Sequence, residues 1–229
     1  MTKILPSNMQ FSGTTGEFTF VFGKNGQFLR RKRGTVTPAK LNDSLRKNVL
    51  RNKPQNRTAV PVNRIMKEYA GYFKEGSFWP RLLSRIKKCA DDDLHTHLTS
   101  LTGMDLNELH PMSQHITYKP YKIQKRKDHV IVELSMLSHA SFRLNKNNCY
   151  YLEVILVLWN KQGAVTNHNS ISTHWVSFED PYPEYDLTFR RTAKDSHYLL
   201  ALRLLGGKDN KTENIMRDKS MIILGGGLL

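Results

Sequence analysis

The chain has 229 residues, 39% of them hydrophobic, with 35 Lys and Arg against 20 Asp and Glu for a net charge of +15. That length allows one large domain or two small ones, and the charge points to an anionic partner: nucleic acid, an acidic lipid surface or an acidic protein. No run approaches 18 apolar residues, which excludes a spanning helix, and the opening MTKILPSNMQFSG holds no apolar stretch of signal-peptide length.

The first predicted element is a β-hairpin in FTFVFGKNGQFLRRKRG, Phe18 to Gly34. Phe18, Phe20 and Phe22 alternate with Thr19 and Val21, the period of a strand. Asn25-Gly26 suits a two-residue type I′ turn, because both of its positions take positive φ. Folding about that turn sets Phe22 opposite Leu29, Phe20 opposite Arg31 and Phe18 opposite Arg33, so aromatic and guanidinium groups lie side by side. Thr37-Pro38 reads as an N-cap followed by proline at the first helical position. Leu41, Leu45 and Val49 continue that helix until Pro54 ends it, with Lys40, Arg46, Lys47 and Arg51 on its other face.

A second helix is predicted from Val62, Ile65, Met66, Tyr69, Ala70 and Phe73, one stripe closed by Gly76. Ser77 is expected to cap a third, with Leu82, Leu83, Ile86 and Cys89 inward. Asp91 to Asp93 open a fourth through Leu94, Leu98 and Leu101 to Gly103. Strands follow at His129–Leu137, Tyr150–Trp159, Ile171–Phe178, His197–Leu205 and Ser220–Gly226, with a weaker one around Ile116–Ile123. Turn-rich pieces such as EDPYPEYD separate them. The expected fold class is therefore α+β: a basic hairpin arm at 1–35, a helical region at 36–103, and an antiparallel, Ig-like β-sandwich at 104–229.

A resemblance joins this reading. Gly13-Thr14-Thr15-Gly16, then Phe20, then Arg31-Lys32-Arg33-Gly34, resembles the opening of a group of uncharacterised bacterial proteins. Those begin with a Gly-x-x-Gly aromatic hairpin ending in a basic-glycine element, continue through helices and close with β structure. LTGMDLNELHPM, Leu101 to Met112, is similar to their helix-to-strand junction, whereas the single Gly34 stands where that group has a pair. The resemblance implies an architecture and no activity.

Chemistry-bearing motifs are absent. The sequence has no His-Glu-x-x-His, Cys-x-x-Cys or Gly-x-Ser-x-Gly. All nine histidines follow Cys89 and are expected to be structural or at the surface. Gly206-Gly207-Lys208 lacks the flanks of a phosphate loop and reads as a hairpin turn, and Gly225-Gly226-Gly227 as a frayed tail. Glu179, Asp180, Glu184 and Asp186 read as a solvated loop. No catalytic residue, metal or cofactor is expected, and the chain is expected not to be an enzyme. Two lone cysteines, Cys89 and Cys149, fit a reduced, cytoplasmic setting.

What stands out is where the charge lies. Residues 1–88 hold 19 Lys and Arg against 4 Asp and Glu, and residues 89–229 hold 16 of each sign. The expected function is therefore nucleic-acid binding by the hairpin and first helices, through Arg30, Arg31, Lys32, Arg33, Arg46, Lys47, Arg51, Lys53 and Arg57, with Phe28 or an exposed Phe stacking on bases. The alternative is a structural or assembly protein, such as a phage, injection-particle or filament subunit, whose hairpin adds a strand to a neighbour. No membrane partner is expected, since the basic helix has only a thin apolar stripe.

Overall fold

The computed structural model describes residues 2–3, 13–23, 26–31, 42–71, 76–142, 147–209, 211–212 and 219–229. The chain divides into two compact units, Met1–Val49 and Leu50–Leu229.

In the first unit, β1 (Thr2–Lys3), β2 (Gly13–Thr15), β3 (Phe18–Gly23) and β4 (Gly26–Arg31) form an antiparallel sheet in the order β1-β4-β3-β2. The expected hairpin is thus the centre of four strands. Its register also differs. Phe18 pairs with Arg31, Thr19 with Arg30, Phe20 with Leu29, and Gly23 with Gly26. The two-residue connection is therefore 24–25, and every pair moves by two positions from the expected one. A shift of two keeps each side chain on its face, so the alternating pattern alone cannot choose between the registers. Phe18 is 43% exposed, and Phe20 and Val21 are half-buried.

Helix α1 (Asp43–Ala70) begins in the first unit and runs through Pro54 and Pro61. The sequence predicts two helices here, and the structure has one. Each proline frees the carbonyl four residues back. Those carbonyls belong to Leu50 and Arg57, both exposed residues. What holds the helix together is burial: Ala59, Val62, Ile65, Met66 and Ala70 are at most 2% exposed. Tertiary packing of one face outweighs a local proline cost of about 3 kcal/mol. The helix closes at Gly71, whose φ of +54° suits a left-handed C-terminal residue. The expected start at Thr37-Pro38 and the expected extension to Phe73 lie outside the described residues.

In the second unit, α2 (Phe78–Lys87) and α3 (Leu94–Ser100) follow. Ser77 precedes α2 but gives no side-chain cap; its hydroxyl instead accepts from Arg81 Nε at 3.1 Å. Asp93 caps α3 by accepting from the Thr96 amide at 3.0 Å.

The strands form two antiparallel sheets. The larger holds β5 (Met104–Asp105), β8 (Cys149–Asn160), β9 (Val165–Ser172), β10 (Val176–Ser177), β12 (Asp195–Lys208), β13 (Lys211–Thr212) and β14 (Lys219–Leu228). Its spine is β10-β8-β12-β14-β5, with β9 alongside β8 and β13 alongside β12. The smaller is β11 (Glu184–Arg190), β7 (His129–Ser135) and β6 (Lys122–Lys125), in that order. Successive residues of β8 point to opposite faces. Tyr150, Leu152, Val154, Leu156 and Leu158 share a core with Val130, Val132 and Leu134 of the smaller sheet. Ile155, Val157 and Trp159 share another with Val62, Ile65, Leu82 and Leu98 of the helices. The mixed α+β class holds, with two antiparallel sheets stacked on one core. A helical layer covers the larger sheet's other face, so the helices and strands expected as successive regions close on common residues.

An expected loop, an expected turn and an expected tail contribute to strands. EDPYPEYD ends in β11, so Glu184 and Asp186 sit opposite Ser135 and Glu133. Gly206 and Gly207 lie within β12, opposite Tyr150 and Cys149. Gly225, Gly226 and Gly227 pair with Leu200, Leu199 and Tyr198. A Cβ on Gly226 would stand 2.8 Å from the Leu98 carbonyl oxygen. The glycines let α3 close on β14, where Thr99 donates to the Gly226 carbonyl at 3.2 Å.

Candidate nucleic-acid interface

Residues 50–70 of α1 carry five cations and one acid, Glu68. Lys53, Arg57, Arg64 and Lys67 recur at i, i+4, i+11 and i+14, which keeps them within one face of a 3.6-residue helix. All four are exposed, and Val60, 52% exposed, sits among them. Their face is opposite the stripe of Ala59, Val62 and Met66 that packs into the core. Among the described residues, none of the four makes a hydrogen bond or an ion pair with a carboxylate. From Lys53 to Lys67 the helix rises about 21 Å, which spans roughly six phosphates of one DNA strand.

Four other guanidinium groups of this unit are engaged. Arg81 donates to the carbonyls of Asp105 and Leu106 at 3.0 and 3.1 Å and pairs with Glu108 at 3.3 Å. Arg85 donates to the Thr102 carbonyl at 3.1 Å. Arg191 donates to the Asp195 carbonyl at 3.0 Å, and Arg203 to Glu153 Oε2 at 2.9 Å. These cations fasten loops and sheet; the α1 cations fasten nothing described.

The structure places the sequence-predicted residues unevenly. Arg30 and Arg31 lie on β4 opposite Thr19 and Phe18, with their side chains outside the described atoms. Lys32 and Arg33 lie outside the described residues, as does the Phe28 side chain. Arg46 and Lys47 are exposed near the start of α1; Arg51 belongs to α1, and its side chain is not described. Lys53 and Arg57 lie on α1 and are exposed. Arg64 and Lys67 were missed by reading a helix end at Pro54, although their spacing from Arg57 was available.

A polar pocket adjoins this face within the second unit. Thr58 and His97 are 2% and 1% exposed. Thr58 Oγ1 stands 3.1 Å from His97 Nδ1, and His97 Nε2 stands 3.7 Å from Asp92 Oδ1, which also accepts from Gln55 Nε2. Burial lowers the His97 pKa and keeps the ring neutral near pH 7, against the Asp92 and Asp93 carboxylates that favour its charged form. That carboxylate favours the proton on Nε2, so Thr58 donates to Nδ1. His97 Nε2 then has no hydrogen-bond partner among the described residues. Arg57, Lys161, Pro54 and Leu94 complete a cavity of about 280 Å³.

Four other histidines have separate partners: His168 with Tyr69, His139 with Tyr150, His129 with Asp128, His115 with the Ser141 carbonyl. Among the described residues no three His, Cys, Asp or Glu side chains are grouped to hold a metal, and no helix is long and apolar enough to cross a membrane. Comparison with protein-family models, curated proteins and solved structures finds no match to this chain.

Proposed function

We propose that the protein is a non-enzymatic, cytoplasmic nucleic-acid-binding protein, with the solvent face of α1 as its principal contact. The observation that carries this reading is the row Lys53, Arg57, Arg64 and Lys67: exposed, in one stripe, and without carboxylate partners among the described residues. Guanidinium and ammonium groups in such a row neutralise phosphates and release condensed counterions, a gain that does not depend on sequence. Arg46, Lys47 and Arg51 on the same helix, and the Arg30–Arg33 segment, add further phosphate contacts. The stacked sheets serve as the platform, an Ig-like sandwich role in this reading. The free thiols Cys89 and Cys149 fit a reducing compartment.

Binding of labelled single-stranded DNA across a salt series tests this. Four cations on phosphates give a slope of log K against log salt of about −3, and more if the first unit joins. A slope near zero, or no binding at low salt, removes the proposal.

The assembly reading rests on a different observation. Strand β2 covers only Phe18–Phe20 of β3, so Val21–Gly23 have no partner on that side among the described residues. An edge of that kind accepts a strand from a neighbour. Sedimentation at high concentration is its test: a monomer that is unchanged by deletion of residues 1–34 counts against it.

A further inference from the structure

We infer that the cavity beside α1 takes one unpaired nucleobase of the strand lying along the basic face, with the base edge hydrogen-bonded to Asp92 and His97. This rests on the nucleic-acid reading above and goes beyond it, because phosphate contacts alone read no base.

Several features argue for a base rather than another ligand. The cavity, about 280 Å³, lies at the small end of ligand sites and suits a flat ring rather than a larger molecule. Pro54 and Leu94 supply apolar walls. Deeper in, the His97 side chain lines the cavity at 1% exposure, and its Nε2, 3.7 Å from Asp92 Oδ1, lacks a hydrogen-bond partner among the described residues. An unpartnered buried donor costs free energy until something accepts from it. Beside it, Asp92 is held through Oδ1 by Gln55, while Oδ2 makes no hydrogen bond among the described residues. One donor and one acceptor side by side are what the exposed edge of cytosine complements: its N4 amino group donates to the carboxylate, and its N3 accepts from the imidazole. A free anion is the poorer occupant, since Asp92 and Asp93 both line the cavity.

Position supports the same conclusion. Arg57 belongs both to the cation row and to the cavity wall, and Lys161 stands at the cavity as a second cation. A strand whose phosphates follow the row therefore passes the cavity mouth. A base turned out of the strand enters while its own phosphate stays with Arg57 and Lys161. Single strands have no pairing to break on extrusion, so they are the expected form.

The test compares a labelled oligodeoxycytidylate with an abasic strand of the same length and charge. The intact protein should bind the cytosine strand about fivefold or more tightly, the discrimination expected of one well-made polar base contact. Asp92→Ala and His97→Phe should bring that ratio close to one. Should His97→Phe not fold, Asp92→Ala carries the test alone, because Asp92 is 57% exposed. Equal binding of both strands by the intact protein overturns the base site and leaves the phosphate reading standing. So does a preference that survives in Asp92→Ala. Failure to bind either strand at low salt overturns both.

Discussion

The two units differ in what holds them. No described side chain of the first unit is buried: its sheet is built from strands of two to six residues, and Phe18 is 43% exposed. The second unit has two cores on opposite faces of one sheet, and β8 contributes to both. Charge density follows the same division. Residues 1–49 contain nine Lys and Arg against two acids, while in the second unit Arg81, Arg85 and Arg203 bond to carbonyls and carboxylates. Helix α1 belongs to both regimes, with one face in the core and the cations of the other without carboxylate partners among the described residues. Burial fixes shape in the second unit; in the first, charge is the prominent property.

The largest expected effect breaks the core. Trp159→Ala, at 0% exposure between sheet and helices, should lower stability by about 3–5 kcal/mol by denaturant unfolding. Phe18→Ala in the first unit should change it by less than about 0.5 kcal/mol, the usual range for surface positions. Next comes Gly226→Ala. Its methyl meets the Leu98 carbonyl, so α3 must shift from β14 at a cost of about 1–3 kcal/mol.

A smaller effect comes with pH. Burial lowers the pKa of both His97 and His197 below the ordinary histidine value of 6.5. The unfolded chain then binds protons that the folded chain refuses. Stability is complete above about pH 6.5 and falls as acid is added through the window between that value and the lowered folded pKa. Thermal melts from pH 7.5 to 5.5 should show this loss, and His197→Gln should reduce it. A melting temperature that rises on acidification would contradict the neutral rings.

Much of this fold was legible, and the misses have particular causes. YYLEVILVLW is apolar without alternation, as a strand covered on both faces must be; reading it as half of a two-sheet sandwich left no place for the helices. Pro54 misled because local chemistry argues for a stop, while the stripe through Thr58, Ala59, Val62 and Ile65 argues for continuation, and the core prefers the stripe. The prolines of EDPYPEYD hid β11, an edge strand that begins just after Pro183. The Gly225–Gly227 run has no apolar pattern at all; its reason is the approach of Leu98 and Tyr121, visible only in three dimensions. For the candidate site, charge density pointed to α1, but Arg64 and Lys67 required the helix to be continuous. The pairing of Thr58 with His97, 39 residues apart, had no signal in the sequence.

The central claim is that the exposed cations of α1 hold nucleic acid and nothing else. The direct measurement is a variant carrying Lys53→Gln, Arg57→Gln, Arg64→Gln and Lys67→Gln, assayed for unfolding and for the salt dependence of single-strand binding. The account predicts a stability close to that of the parent, each site contributing less than about 0.5 kcal/mol, with the slope reduced by about 3. A variant that binds with the parent's affinity and slope would place the contact elsewhere and contradict the account.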